Sequence, residues 1–318
     1  MNEQSILVTG GLGYVGRELV AQLLERGTKH LHVLDNLASG EHRLAAMDTD
    51  RFTLHRVDIR DRDAVAEVMR TVEPATIYHL AAVHYIPACE AAPGDAIGIN
   101  VAGTVNLLDS APPQATFVFA STAAVYAPNR SAHLETEATG PVDIYGYSKL
   151  HGEHFVRYYA QQGKVQARIV RLFNVVGPGE TNPHLVPAII RQLGEGAKRI
   201  QLGNLFPTRD YIDVADAARG FQLLAAADPG TGGVLVSNLG TGHTHSVGEV
   251  VTSIAEAAGI DLAVEQDPSR VRAVDRPVLQ ASTQMLRSVT GWSPQMTLKQ
   301  SMQRAWASRA ADGLAAAA

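Results

Sequence analysis

The stretch Val8-Thr9-Gly10-Gly11-Leu12-Gly13-Tyr14-Val15-Gly16 constrains this chain more than any other. It continues the apolar run Ile6-Leu7-Val8 and leads into an amphipathic pattern at Leu19, Val20, Leu23 and Leu24. That order specifies a strand, a tight turn and a helix. Gly10 lets the chain turn, Gly13 lets backbone N–H groups approach a pyrophosphate, and Gly16 lets helix and strand pack closely. The helix N-terminus then offers its dipole and free N–H groups to phosphate. Glycine turns also join strands to helices in domains that bind nothing, so context decides. The next run, Leu31-His32-Val33-Leu34, ends in Asp35, placed as a carboxylate that accepts hydrogen bonds from the ribose of a dinucleotide. The plainer reading of Asp35 is a loop cap before Asn36. With strand, turn, helix and acid in register, the expected ligands of a dinucleotide are Gly10, Gly13, Tyr14, Val15, Gly16, Asp35 and Asn36. A carboxylate at position 35 repels a 2′-phosphate, so NAD is favoured over NADP.

Short apolar runs alternate with helical patterns up to about residue 170. Strands are expected at Ile6–Thr9, Leu31–Leu34, Thr53–Val57, Thr76–His79, Thr116–Ala120 and Ala167–Leu172. Helices are expected at Gly13–Arg26, Arg62–Val72, Asp95–Ser110 and Tyr145–Gln162. This implies an α/β fold, a Rossmann-like doubly wound parallel sheet, with ligands beyond the strand C-termini. From about 174 the alternation breaks, and Pro178, Pro183, Pro187, Gly194 and Gly196 interrupt short helices such as Ala188–Leu193. A strand at Val234–Asn238 and a helix at Val247–Ala258 return to the main sheet and its flank. The expected division is a dinucleotide-binding domain over 1–173, with return segments near 210–245, and a smaller α/β substrate lobe interleaved over 174–312. The alanine-rich tail, 313–318, reads as disordered. At 46% hydrophobic, 19% charged and net charge −5, the 318 residues suit a globular enzyme and carry no basic stripe for nucleic acid. No apolar run approaches the ~20 residues that span a bilayer. The single cysteine, Cys89, and the first strand close to Met1 suit a cytoplasmic protein without a secretory leader. No metal site is expected.

Chemistry is sought just after each strand. Asp58 and Ile59 follow the third, at the adenine edge, and Asp61 reads as a helix cap. After the fourth come His79-Leu80-Ala81-Ala82-Val83-His84, where small residues admit a cofactor and His79 packs rather than reacts. Asn100, inside a helix, is a candidate clamp on a neighbouring backbone and, with Asp58, Ile59, Leu80, Ala81 and Ala82, a candidate cofactor contact. Ser121 and Thr122 put hydroxyls where the nicotinamide belongs. Tyr145 and Lys149 share one helix face, and an ammonium beside a phenol lowers its pKa toward that of a general base. A solvated helix start is the plain alternative. Tyr147 has His151 in place of such a lysine.

Together these residues resemble the extended short-chain dehydrogenase/reductase family, the nucleotide-sugar epimerases and dehydratases. Further motifs that carry the resemblance are Asp35-Asn36-Leu37, Asp58-Ile59-Arg60-Asp61, Arg171-Leu172-Phe173-Asn174-Val175-Val176-Gly177-Pro178-Gly179, Arg209-Asp210-Tyr211-Ile212-Asp213-Val214 and Gly291-Trp292-Ser293-Pro294. The resemblance implies a catalytic trio of Thr122, Tyr145 and Lys149. It places Asn174 and the segment containing His184 and Leu185 on the substrate. Arg209 and Arg272 are candidates for its two phosphates, since guanidinium forks match phosphate oxygens. His84 joins the substrate side. The resemblance also implies a homodimer, with the contact made by the helices Asp95–Ser110 and Tyr145–Gln162.

The expected reaction is 4-epimerisation of a nucleotide sugar, a UDP-hexose in the first instance, through a transient 4-keto sugar. A 4,6-dehydratase needs an acid and a base shortly after the threonine, where this chain has Ala123 and Ala124. A 4-ketoreductase would use the same trio with an exchangeable cofactor, and a non-enzymatic NAD-binding protein would have no use for it. His84-Tyr85-Ile86-Pro87 and Ala127 depart from the common galactose epimerases, which leaves the sugar and its base open.

Overall fold

The structure is a computed structural model, and it describes residues 4–38, 40, 47–180, 182–271 and 276–312. The expected tail at 313–318 and Arg272 lie outside the described residues.

Six strands of the first half line up with a later one. In chain order they are β1 (Ile6–Thr9), β2 (Leu31–Asp35), β3 (Thr53–Arg56), β4 (Thr76–His79), β5 (Ala115–Thr122) and β6 (Val165–Leu172). The second half adds β7 (Asn174–Val176), β8 (Arg199–Leu202), β9 (Thr208–Asp213), β10 (Val234–Leu239), β11 (Thr244–Ser246), β12 (Ala263–Gln266) and β13 (Val278–Leu279). The main sheet is parallel, in the order β10-β6-β5-β4-β1-β2-β3. The order reverses between β1 and β4, which pair in register from Ile6↔Thr76 to Thr9↔His79. A cleft beyond the strand C-termini is the consequence of such a switch. A smaller sheet forms around β9, with β11, β13 and β7 as its partners.

Helices cover both faces. In the first half they are α1 (Tyr14–Glu25), α2 (Arg62–Val72), α3 (Ile86–Ala91), α4 (Pro93–Ile97), α5 (Thr104–Ser110) and α6 (Ile144–Gln161). The second half has α7 (Leu185–Gly194), α8 (Val214–Ala226), α9 (Val247–Ala258), α10 (Gln284–Thr290) and α11 (Leu298–Ser308). Leu19, Val20, Leu23 and Leu24 of α1 are buried and share one core with Phe221 and Leu224 of α8. Each such burial contributes about 1.5–3 kcal/mol. A second core on the opposite face joins Val65 and Met69 of α2, Phe117 and Phe119 of β5, and Val156 of α6. A third, around Ile189, Ile200, Val250 and Met302, belongs to the C-terminal part.

The helix expected over Asp95–Ser110 is helical but not uniform. A π-helical segment, Gly98–Gly103, separates α4 from α5. Such segments mark functional positions, and this one carries Asn100.

Candidate active site

The C-terminal ends of β1, β2, β4, β5 and β6 open into one cleft of about 1120 Å³. The glycine turn forms one end. Gly10 adopts φ +69°, and a Cβ there would lie 2.6 Å from the Ala81 nitrogen. A Cβ on Gly16 would fall 2.1 Å from the Gly10 carbonyl oxygen, which no side chain survives. Gly13 differs. It caps α1 without a side-chain hydrogen bond, and a Cβ there would meet only the Gly10 oxygen, at 3.1 Å. The first N–H groups of α1 thus stay open toward the cleft, as a pyrophosphate requires. Tyr14 and Val15 line the cleft behind them, and the Tyr14 hydroxyl donates to the Gly177 carbonyl at 3.4 Å.

Asp35 closes the turn. Its Oδ2 accepts from Leu12 N at 3.0 Å and its Oδ1 from Leu37 N at 2.8 Å. Each carboxylate oxygen retains a lone pair for a ribose hydroxyl. Asn36 donates to Asp58 at 3.0 Å. The Arg60 guanidinium holds the Asp58 carboxyl well below the usual carboxylate range, with contacts of 2.8 and 3.0 Å. Ile59, Leu80, Ala81 and Ala82 complete this wall. The cleft therefore fits a dinucleotide: uncapped helix N–H groups, glycines that no Cβ could replace, and a carboxylate at the second strand end.

Asn100 does not line the cleft. It is 1% exposed, and it brackets Val83 by accepting from its N–H and donating to its C=O, both at 2.9 Å. It also donates to Ser148 Oγ at 2.9 Å, which donates to the Tyr145 carbonyl at 2.8 Å. Its role is to tie the loop after β4 to the turn of α6 that carries Tyr145. His79 is fully buried between the hydroxyls of Thr9 (2.8 Å) and Thr104 (2.9 Å), and burial holds its pKa well below the ordinary value. It packs, and it is neutral.

Thr122, Tyr145 and Lys149 meet at the other end of the cleft. Thr122 ends β5 and accepts from Ala124 N at 3.1 Å, which starts a short 3-10 turn. Asp143 caps α6 by accepting from Gly146 N at 2.7 Å. A Cβ on Gly146 would lie 2.5 Å from the Ala124 oxygen, so glycine lets the start of α6 abut that turn. The expected acidification of Tyr145 by Lys149 is corrected here. Burial pushes the Tyr145 phenol above its ordinary value, with Thr122 acting in the opposite direction. Lys149 is buried too, and burial pushes its pKa down to about 7, with its Nζ 4.9 Å from the Phe119 ring centroid.

The substrate-side expectations fall on the opposite wall. Asn174 begins β7 opposite Tyr211 of β9, and His184 and Leu185 start α7. His84, Asn174, His184, Leu185 and Arg209 all line the cleft. Arg209 donates to the Thr208 carbonyl at 2.9 Å. Where Arg272 was expected, the described residues offer Arg276. It is 8% exposed, lines the cleft, donates to the Ala124 carbonyl at 2.9 Å and lies 3.4 Å from Asp143. Arg276, Glu180 and Tyr211 also line the cleft and were missed as site residues. They stand in irregular or short elements, where no periodicity marks an inward side chain.

Fold and cleft define a Rossmann dinucleotide-binding protein with a hydroxyl–phenol–amine constellation at the far end of the cofactor groove. Comparison with known proteins carries this further. Residues 6–240 match the model of the NAD dependent epimerase/dehydratase family. A UDP-glucose 4-epimerase of Streptomyces lividans is 33% identical over 306 residues, covering 91% of each chain. A GDP-6-deoxy-D-mannose reductase of Pseudomonas aeruginosa is 28% identical over 312 residues, 94% of this chain and 95% of that one. The crystal structure of Thermus thermophilus UDP-glucose 4-epimerase in complex with NAD superposes with a TM-score of 0.83 at 29% identity, covering 96% of this chain and 98% of that one. The chain belongs to the NAD dependent epimerase/dehydratase family, and its cofactor is NAD.

Proposed function

We propose that the protein is a nucleotide-sugar 4-epimerase, an isomerase whose substrate is a UDP-hexose or a derivative of one. The observation that carries this reading is that Thr122, Tyr145 and buried Lys149 line one end of the cleft together, followed by a turn, Ala123–Val125, whose side chains can transfer no proton. Bound NAD supplies the hydride acceptor and donor and adds a cationic ring to the cleft. Tyr145 takes the proton of the C4 hydroxyl and later returns it. Thr122 donates a hydrogen bond to the reacting oxygen, and Lys149 holds the nicotinamide ribose. His84, Asn174, His184, Leu185, Arg209 and Arg272 are the candidates to hold the sugar and diphosphate, with Arg276 beside them. A 4-keto sugar that turns over in the cleft gives inversion without net redox change.

The UDP-glucose 4-epimerases among the relatives support this reading. The GDP-6-deoxy-D-mannose reductase supports a second one, a nucleotide-sugar 4-ketoreductase built on the same residues. Asp35 favours the first, because a 2′-phosphate there would meet a carboxylate. Dehydration is disfavoured by the two alanines, and a non-enzymatic NAD-binding role by the intact trio. The division into an NAD-binding part, 1–173 with returns near 210–245, and a substrate lobe over 174–312 belongs to the same proposal. So do a cytoplasmic location and a homodimer.

The test supplies UDP-glucose, UDP-N-acetylglucosamine, UDP-glucuronate and GDP-mannose, one at a time and without added cofactor, and follows each by NMR. One is expected to convert to its 4-epimer. Loss of water, or a requirement for stoichiometric NAD(P)H, overturns the reading. Tyr145→Phe is expected to lower turnover at least ~10²-fold with NAD still bound, and near-normal turnover removes Tyr145 as the base.

A further inference from the structure

We propose that His84, Glu180 and His184 form a divalent metal site, of the two-histidine, one-carboxylate kind, in the wall of the cleft. His84 comes from the loop between β4 and α3, and Glu180 and His184 come from the segment between β7 and α7. One ligand atom from each lies within 4.8 Å of the other two. Donors bound ~2.0–2.2 Å from one tetrahedral ion stand about 3.4 Å apart, so an inward movement of roughly an ångström closes the set. The two loops are already in contact. Asn182 Nδ2 donates to His84 Nε2 at 3.1 Å, and the Glu180 carboxylate accepts from Asn182 N at 2.8 Å. The His84 and His184 rings are 6.0 Å apart between centroids, and Tyr85 packs edge-on against His184 at 5.4 Å, which fixes that ring.

The donor chemistry selects the ion. Two neutral imidazoles and one carboxylate suit zinc and its neighbours and leave the hard, all-oxygen preference of magnesium and calcium unmet. Three protein ligands also leave a position for water or a ligand oxygen, the pattern of open zinc sites. All three residues line the cleft, so that position is accessible from it. Glu180 is 8% exposed, so its carboxylate is held in the cleft wall rather than on the open surface. Roughly a hundred residues separate His84 from Glu180, so no ligand spacing announced the site.

Co²⁺ serves as a spectroscopic probe and Zn²⁺ as its competitor, on the full chain after chelator treatment. One Co²⁺ per chain is expected, with the visible d–d absorption of a four- or five-coordinate centre, bleached by Zn²⁺. His84→Ala and His184→Ala are each expected to weaken Co²⁺ binding at least tenfold, with circular dichroism and NAD binding retained. No visible band in the unaltered chain overturns the site, as does a band that survives both substitutions together. These readouts are independent of turnover, so they stand or fall apart from the epimerase reading.

Discussion

Lys149 is 2% exposed, and its ammonium lies against Phe119 in the same interior that lowers the pKa of His79. Burial brings its pKa from the ordinary lysine value to about 7. The unfolded chain binds this proton up to about pH 10.4, whereas the folded chain releases it near 7. Between those values the unfolded state holds more protons, so stability rises with pH, by at most about 1.4 kcal/mol per pH unit. In the cofactor-free protein, denaturant midpoints should therefore climb from pH 7 toward 10, and Lys149→Met should remove most of that slope. An equal slope in both proteins would deny the lysine its part. The pairing of Tyr145 with Lys149 was legible from their spacing on one helix face. The direction of their pKa shifts was not, because it depends on how much water reaches them. Thr122 was legible only by its place after an apolar strand, and Arg276 not at all.

At the scale of elements, the site stands on a buried polar junction between β5, β6, β10 and α6. Glu153 of α6 receives a bidentate contact from Arg171 of β6, at 2.8 and 2.9 Å, and both are nearly inaccessible to solvent. Ser121, beside Thr122, donates to the same carboxylate. Arg171 also donates to the Tyr126 hydroxyl at 3.1 Å, and Tyr126 donates to Asn238 of β10 at 2.6 Å. Removing one charge of such a pair strands the other in the interior. Glu153→Gln should cost about 3–5 kcal/mol in urea unfolding, and a loss under ~1 kcal/mol would show that the junction relaxes. The parallel sheet was readable because its inner strands are apolar runs, buried on both faces and punctuated by glycine and aspartate. Ile6–Thr9, Arg62–Val72, Thr76–His79 and Val247–Ala258 have the expected bounds. The π-helical turn at Asn100 was not readable, since the helical segments on either side, Pro93–Ile97 and Thr104–Ser110, are too short to show a slip in apolar period. The small sheet around β9 eluded reading for another reason. Its strands are two to six residues long and pair with partners distant in sequence.

At the scale of the whole molecule, one side of α6 carries a row of exposed apolar groups. Tyr147, His151, Phe155 and Tyr158 recur at helical spacing, and Tyr147, Phe155 and Tyr158 are 50%, 38% and 56% exposed. Ile97, at the end of α4, adds a further apolar group that is 51% exposed. The elements α4 and α6 are in contact, so the exposed groups belong to neighbouring helices. Apolar groups exposed together on neighbouring helices are the kind of surface that association covers. Across a two-fold axis the same two helices of a second copy would present the same apolar stripe, as a self-complementary interface requires. The inner face of α6 is occupied by Lys149, Glu153 and Val156, which pack into the domain. Association through the outer face would therefore brace the helix that carries Tyr145 from the side opposite the cleft. The expected solution mass is twice the chain mass of 33.9 kDa. Phe155→Glu combined with Tyr158→Glu places charge in the stripe without touching the cleft. Light scattering should then report the single-chain mass at micromolar concentration, with turnover reduced because α6 loses its outer support. A dimer that persists in this double variant would place the interface elsewhere on the molecule. A monomer with full turnover would separate assembly from catalysis.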